Sequence, residues 1–448
     1  MTQAVTKRAH WGSKIGFILA AAGSAVGLGA IWKFPYVAGK SGGGAFLLVY
    51  LACLFTVGVV MLIAEMLIGR LAKRSITTAY RELAGKWWPW AGRMSVLCVF
   101  LILGFYCVVG GWTLEYIVAS IDGSIITTDK AVLAKQFAAF SGDVTTVLIA
   151  TAVFLMLTAG IVIAGVQSGI ERICKILMPT LFILMLLLIS QSLFLPGAMQ
   201  GVSYFFTPDW SKVTITTVLD ALGLAVFSLS VGAGLMVAYG SYLESGTKVV
   251  SAGMWIASLA AFASVLAGLM ILPAVFAFGV NPAAGPSLTF ITMPMLFAQM
   301  PFGQVLALVF FALLFFAALT SSISILEPVV AFLIDEYQLP RRRATLIAAS
   351  TNYVLLGIPA ALSFGEFSGA ISLWGKTPFD VMDYLASNIL MPIGGMLCAI
   401  FVGWVIWHNV QVRLEQELST IAIKTYWLIA AIASPILIGA VALLTILG

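Results

Sequence analysis

The sequence predicts an all-α integral membrane protein of eleven transmembrane helices, arranged as a 5+5 inverted repeat with discontinuous helices 1 and 6 and an extra helix 11. Three observations predict it. The 448 residues are 61% hydrophobic and 9% charged, more apolar than a soluble domain needs. Many stretches exceed the ~20 apolar residues that cross a ~30 Å hydrocarbon core. Two glycine-rich breaks, Gly23-Ser-Ala-Val-Gly-Leu-Gly29 and Ser228-Leu-Ser-Val-Gly-Ala-Gly234, each interrupt a stretch of spanning length. Glycine loosens a helix and frees N–H and C=O groups that lipid cannot satisfy, so such breaks survive where the backbone lines a polar cavity. Two of them in corresponding helices point to the central binding site of a secondary transporter.

The spans are expected at 13–38, 42–70, 92–120, 144–166, 171–195, 213–241, 248–278, 302–336, 342–363, 377–407 and 421–447. Span 1 follows a polar leader without a signal-peptide cleavage pattern. The Pro-rich segment 281–299 reads as a re-entrant or capping loop. Breaks in spans 1 and 6 lie five spans apart, so their two copies cross in opposite directions. Repeat one is then 13–195, repeat two 213–407, and 421–447 is an addition, all within one transporter domain over 1–448.

Lys and Arg concentrate in the leader (Lys7, Arg8), loop 2–3 (Arg70 to Arg93), loop 8–9 (Arg341, Arg342, Arg343) and loop 10–11 (Arg413, Lys424). The loops 121–143, 196–212 and 364–378 are poor in both. This places the N-terminus in the cytoplasm of a multi-pass cell-membrane protein, and eleven spans place the C-terminus outside.

Other function classes lack their residues. Five cysteines lie in or beside apolar spans, an odd number without metal spacing, and read as small buried hydrophobes. Two histidines, His10 and His408, leave no buried triad or metal cluster, so an enzyme is not expected. The net charge of +5 comes mainly from membrane-flanking residues, so the partner is the lipid bilayer rather than nucleic acid. No obligate protein partner is evident. An ion channel is a weaker alternative.

The run His10-Trp-Gly-Ser-Lys-Ile-Gly16, the first break, Ile31-Trp-Lys-Phe-Pro35 and Gly42-Gly-Gly-Ala-Phe46 resemble the neurotransmitter:sodium symporter family, in its bacterial hydrophobic amino-acid branch. So do Ser168-Gly-Ile-Glu-Arg172, Phe227-Ser-Leu-Ser230, Tyr239-Gly-Ser-Tyr242 and Leu319-Thr-Ser-Ser322. The resemblance covers spans 1 to 10. It implies sodium-coupled symport of amino acids by alternating access, with an amine or osmolyte as the alternative solute. Ala25 stands where biogenic-amine members commonly carry a carboxylate.

By that resemblance, the amides of Leu28 and Gly29 and the hydroxyl of Tyr106 hold the substrate carboxylate, while its amine faces carbonyls near Ala25, Phe227 and Ser230. Its side chain faces Ile102, Phe227, Ser230, Ala233, Ser321 and Ile325, with Phe105 on the same wall. Alanine at position 233 leaves room for large hydrophobic substrates (Trp, Phe, Tyr, Leu). Two Na⁺ ions are expected. The second site maps to Gly23, Val26, Ala317, Thr320 and Ser321. The first maps to Ala25 and Ser228, with Ala30 and Ala260 where the family carries asparagines. For chloride, Tyr50, Ser228 and Ser264 fit the site that some relatives have, Leu224 and Ala260 replace its amides, and Asp220 lies one turn from Leu224.

Glu65 lies deep in span 2, where a charge is costly and usually functional, and the same resemblance implies that it braces the unwound part of span 6; Glu327 in span 8 has no assigned role. The resemblance makes Lys33 and Asp383 the outer gate and Arg8 and Asp335 the inner gate, with Trp11 and Tyr242 beside the latter. Gly169 and Pro179 bound a segment of span 5 expected to unwind on the way to releasing sodium.

Overall fold

The computed structural model describes residues 8–244, 246–279, 288–365 and 372–447. Lys7, residues 281–287 of the expected capping loop and part of loop 364–378 fall outside them. Among the described residues, nine helices are long and apolar enough to cross a membrane. Two broken helices complete the set. Span 1 is Lys14–Ala25 and Gly29–Lys40, bent by 51°. Span 6 is Ile215–Ser228 and Leu235–Ser241, joined through 229–234. Spans 2 to 5 are Gly44–Ala72, Pro89–Ile121, Val144–Ile163 and Val166–Leu193. Spans 7 to 11 are Val249–Ala277, Gly303–Tyr337, Arg341–Ala361, Pro378–Val405 and Thr420–Leu444. The eleven expected spans are all present, most with ends shifted by a few residues.

Burial sorts them. Spans 3, 7 and 8 have 72% of their apolar windows buried, whereas spans 5 and 11 have 33% and 28%. The first group is the core around the broken helices. The second is the rim that presents apolar side chains to lipid, where an apolar surface is no liability.

Among the described residues, four connecting helices have no counterpart in the sequence reading: Ile76–Ala84, Lys130–Gly142, Ala198–Phe206 and Trp407–Leu414. The first buries Ile76, Ala79 and Tyr80 on one face and exposes Arg81 and Glu82 on the other. The second starts at Asp129, whose carboxylate accepts from the amide of Ala131 at 2.8 Å. The described part of 281–299 winds as Leu288–Thr292 and Met293–Phe297. Its Phe290 packs within 5.0 to 5.8 Å of the rings of Tyr116, Trp112 and Phe137.

Candidate functional site

Span 1 begins at Ser13, whose hydroxyl accepts from the amide of Gly16 at 3.0 Å. It leaves the helix at Val26, φ −94° and ψ 54°, and resumes at Gly29 as a wide turn through Lys33. Between them, a Cβ on Gly27 would run into Ser321 Oγ and come within 3.2 Å of Tyr106 Oη. Glycine is therefore required by a close approach of spans 3 and 8 to the broken backbone.

Span 6 breaks more sharply. Ser230, Gly232 and Gly234 take φ of 55°, 98° and 75°. The carboxylate of Glu65, 1% exposed, accepts from the amides of Gly232 (2.7 Å), Gly234 (3.3 Å) and Met236 (3.1 Å). Charge-assisted bonds of this kind contribute about 1.5–3 kcal/mol each, so one buried acid holds the loosened backbone in place. The two breaks are also tied to each other: Ser230 Oγ donates to the Ser24 carbonyl at 3.1 Å and accepts from Ser24 Oγ at 3.2 Å.

Where the breaks meet lies a cavity of about 50 Å³. Span 1 lines it with Ala25, Leu28 and Gly29, and span 3 with Ile102 and Tyr106. Phe227 and Ser230 of span 6 and Ser321 and Ile325 of span 8 complete the expected wall. Ala233 differs from expectation: it is 1% exposed but does not line the cavity. The left-handed Gly232 and Gly234 on either side direct the chain elsewhere. A Cβ on the first would strike the Met391 carbonyl of span 10, and one on the second would strike Ile76. Leu235 and Met391 line the cavity instead, and neither carried a sequence signal. Phe105 packs on Phe379, with centroids 5.4 Å apart, rather than on the cavity.

Two hydroxyls stand out. Tyr106 Oη and Ser228 Oγ are buried without a hydrogen bond of acceptable geometry, and both residues line this cavity. Tyr106 Oη lies beside Leu28 and Ser321, and Ser228 lies beside Tyr50. A buried polar group left unpaired costs about 1–3 kcal/mol. Two at one small cavity mark where a polar ligand is received.

Where span 8 packs on span 1, oxygen atoms of the two spans meet. Ser321 Oγ donates to the Gly23 carbonyl at 3.1 Å and lies 3.3 Å from that of Ser24. Thr320 Oγ1 lies 3.1 Å from the Ala317 carbonyl, and a Cβ on Gly23 would stand 3.1 Å from Thr320 Cβ. Val26 supplies a carbonyl at the break. These are uncharged hard oxygens, suited to an alkali cation, and no group of three or more His, Cys, Asp or Glu residues is placed to hold a metal among the described residues. Ala30 and Ala260 are both fully buried and offer only carbonyls. Tyr50 Oη meets Ser264 Oγ at 3.0 Å, in the cluster considered for chloride. Asp220 stands apart from it, exposed and 3.6 Å from Lys40 Nζ.

The face carrying Arg8 is closed. Arg8 meets both oxygens of Asp335 at 2.7 and 2.8 Å and donates to Ser241 Oγ at 2.8 Å. Its guanidinium sits 4.9 Å from the Tyr242 ring centroid, and Trp11 Nε1 donates to the Tyr239 carbonyl at 3.0 Å. A second pair lies deeper. Glu327, fully buried, accepts from Tyr242 Oη at 2.6 Å and from Arg341 at 2.5 and 3.0 Å. Arg341 Nε also donates to the Val162 carbonyl of span 4 at 2.7 Å. Sequence reasoning saw Arg341 only as a flanking charge.

The opposite face is open. A cavity of about 250 Å³ there is lined by Lys33, Lys40 and Asp220 among others, and shares Phe227 and Met391 with the central cavity. The expected pair of Lys33 and Asp383 is not closed. Lys33 Nζ lies 5.4 Å from the Phe227 ring centroid, and Asp383 accepts from Ser387 Oγ at 2.8 Å. Two aromatic and thioether side chains therefore separate an open vestibule from the central cavity.

Span 5 is wound throughout. It starts with a wide turn, Val166–Glu171, containing Gly169, and continues as a helix through Pro179. A Cβ on Gly169 would strike the Ile161 carbonyl. Glu171 accepts from Gly12 N at 2.6 Å, Ser13 Oγ at 2.8 Å and Lys175 Nζ at 2.6 Å, fastening this turn to the start of span 1.

Comparison with known proteins agrees with this geometry. The Sodium:neurotransmitter symporter family matches residues 8–136 and 131–447. The uncharacterized sodium-dependent transporter YhdH of Bacillus subtilis is 41% identical over 88% of both chains. An uncharacterized sodium-dependent transporter of Haemophilus influenzae is 33% identical over 98% of both. The human sodium- and chloride-dependent GABA transporter 2 is 26% identical over 89% of this chain and 73% of its own length. The crystal structure of MhsT in complex with L-phenylalanine superposes with a TM-score of 0.89, at 39% identity, over 98% of this chain and 99% of that one.

Proposed function

The chain belongs to the sodium:neurotransmitter symporter family, and from that premise we propose that it carries hydrophobic L-amino acids into the cell together with two sodium ions. The observation that carries this reading is the pair of buried hydroxyls without a well-formed hydrogen bond, Tyr106 and Ser228, at a cavity bounded by both broken helices. A zwitterion matches it. The carboxylate accepts from Tyr106 and the freed amides at Leu28 and Gly29, beside the start of a half-helix, where negative charge is favoured. The ammonium faces the carbonyls freed at Ala25 and in the span 6 break. The complex of the similar MhsT with L-phenylalanine supports an aromatic substrate.

The side chain then lies toward Ile102, Ile325, Phe227 and Met391. The central cavity, about 50 Å³, admits a phenylalanine ring once Phe227 and Met391 swing toward the vestibule, because these two side chains wall both spaces. One sodium ion is held by Gly23, Val26, Ala317, Thr320 and Ser321. The other is held by the Ala25 carbonyl, Ser228 Oγ and the substrate carboxylate, so that ion and substrate bind cooperatively.

Positive charge near the span ends supports a cytoplasmic Arg8 face and an external vestibule. Alternating access then requires the Arg8–Asp335 and Glu327–Arg341 pairs to open as the vestibule closes, with span 5 unwinding between Gly169 and Pro179. The ions shift this equilibrium by binding better to the outward state. Purified protein reconstituted into liposomes tests the reading. Inward sodium should drive accumulation of L-phenylalanine above its external concentration, whereas equal accumulation in potassium would reject it.

A further inference from the structure

On the Arg8 side of the substrate cavity, spans 3, 8 and 9 enclose a groove of about 650 Å³. Leu97 and Phe100 line one wall, Phe332 and Leu333 the floor, and Ile347 and Ala348 the other wall. Leu97 and Ile347 are 50% and 46% exposed, so the groove opens sideways, where hydrocarbon chains lie. From Arg93 to Phe100 the wall rises ~10 Å, the length of about half an acyl chain.

The end of the groove nearest the Arg8 face is basic. Arg93 lines both the groove and a second pocket formed with Lys86, Trp87 and Trp90. Two acids lie near these cations: Glu336, which also lines the groove and attracts Arg93 without ion-pair contact, and Glu82, and both have a closer partner. Glu336 binds Arg81 and Thr78 at 2.8 Å each, and Glu82 binds Arg74 at 3.2 Å. Among the described residues no carboxylate is in ion-pair contact with Lys86 or Arg93, both exposed. Arg343, also exposed and one turn before Ile347, adds a cation on the facing wall. Trp87 and Trp90, 86% and 53% exposed, supply the amphipathic rings that settle at headgroup level.

We propose that this groove is a binding site for an acidic phospholipid of the leaflet on the Arg8 face. The phosphate sits between Arg93 and Lys86, and one acyl chain lies over Leu97, Phe332 and Ile347. A free anion would satisfy the cations but leave the groove bare. A neutral phospholipid would cover the groove but leave Lys86 and Arg93 without a net negative charge in contact. The acidic lipid does both, and basic pockets between membrane helices recognise such headgroups.

Native mass spectrometry of the full-length protein in detergent tests this, with dioleoyl-phosphatidylglycerol and dioleoyl-phosphatidylcholine at equal concentration. The first lipid should be retained about fivefold more than the second. Arg93→Gln with Lys86→Gln should abolish that preference, and Arg93→Lys should keep most of it. Thr351→Trp, which fills the groove with every cation in place, should lower retention of both lipids. Gel-filtration profile and melting temperature verify folding without reference to transport. Equal retention of the two lipids by the wild type would overturn the proposal. So would an unchanged preference in the double variant, or displacement of phosphatidylglycerol by excess inorganic phosphate.

Discussion

The hydroxyl of Ser321, on span 8, donates to the main-chain carbonyl of Gly23, on span 1, at 3.1 Å. The bond joins the rigid, buried eighth span to the last helical turn before the first break. Both oxygens belong to the set assigned to the second sodium ion. On the proposed reading, binding of that ion would turn the hydroxyl proton away and make the two oxygens co-ligands, so the contact would be exchanged rather than broken.

Removing it should weaken sodium before it weakens folding. Thr320→Ala with Ser321→Ala deletes two of five assigned ligands. A loss of ~1.4 kcal/mol per ligand is tenfold in affinity, so the half-saturating sodium concentration for uptake should rise at least tenfold. Sodium titration of L-phenylalanine uptake in liposomes measures it; an unchanged midpoint would remove these residues from the ion site.

The first sodium site predicts a subtler change. Ser228 Oγ is buried beside Tyr50 without a well-formed hydrogen bond, and it is the side-chain hydroxyl assigned to that ion. Ser228→Ala should lower the Hill slope of sodium-dependent binding toward one, and Ala30→Asn should raise apparent sodium affinity. A slope of one in the wild type that neither variant changes would mean a single ion.

Arg8 makes three hydrogen bonds across the closed face, which opening of that face would have to break. Arg8→Ala should therefore shift the population toward the open form of that face. A cysteine placed at Ser241 should label faster in this background. Unchanged labelling would leave Arg8 as a topology signal.

Arg341→Ala would strand the fully buried Glu327 carboxylate. Breaking one partner of a buried pair costs ~3–5 kcal/mol, so a large fall in melting temperature is expected, partly restored by adding Glu327→Gln. A melting temperature within about 2 °C of wild type, the low end of the shift that a change of 1 kcal/mol produces, would deny the pair a structural role.

Most of the fold is legible in the sequence because apolar length and glycine breaks are local signals. The connecting helices Ile76–Ala84 and Lys130–Gly142 are not, because their short amphipathic patterns are lost between strongly apolar neighbours. In the site, the expected cavity residues are brought together except Ala233 and Phe105. The displacement of Ala233 follows from two left-handed glycines whose handedness no sequence pattern specifies. Met391 and Arg341 were invisible for another reason: each acts through a contact with a distant span. Lys33 and Asp383 are placed on the vestibule side, but a gate pair can be read as closed or open only from coordinates.

The central claim is that sodium and a hydrophobic amino acid bind together at the crossing of the two broken helices. Equilibrium binding of radiolabelled L-phenylalanine to the purified protein, in sodium and in potassium at equal ionic strength, tests it most directly. The account predicts saturable binding in sodium, loss of most of it in potassium, and weakened binding in sodium for Tyr106→Phe. Equal binding in both salts, or full affinity in Tyr106→Phe, would contradict it.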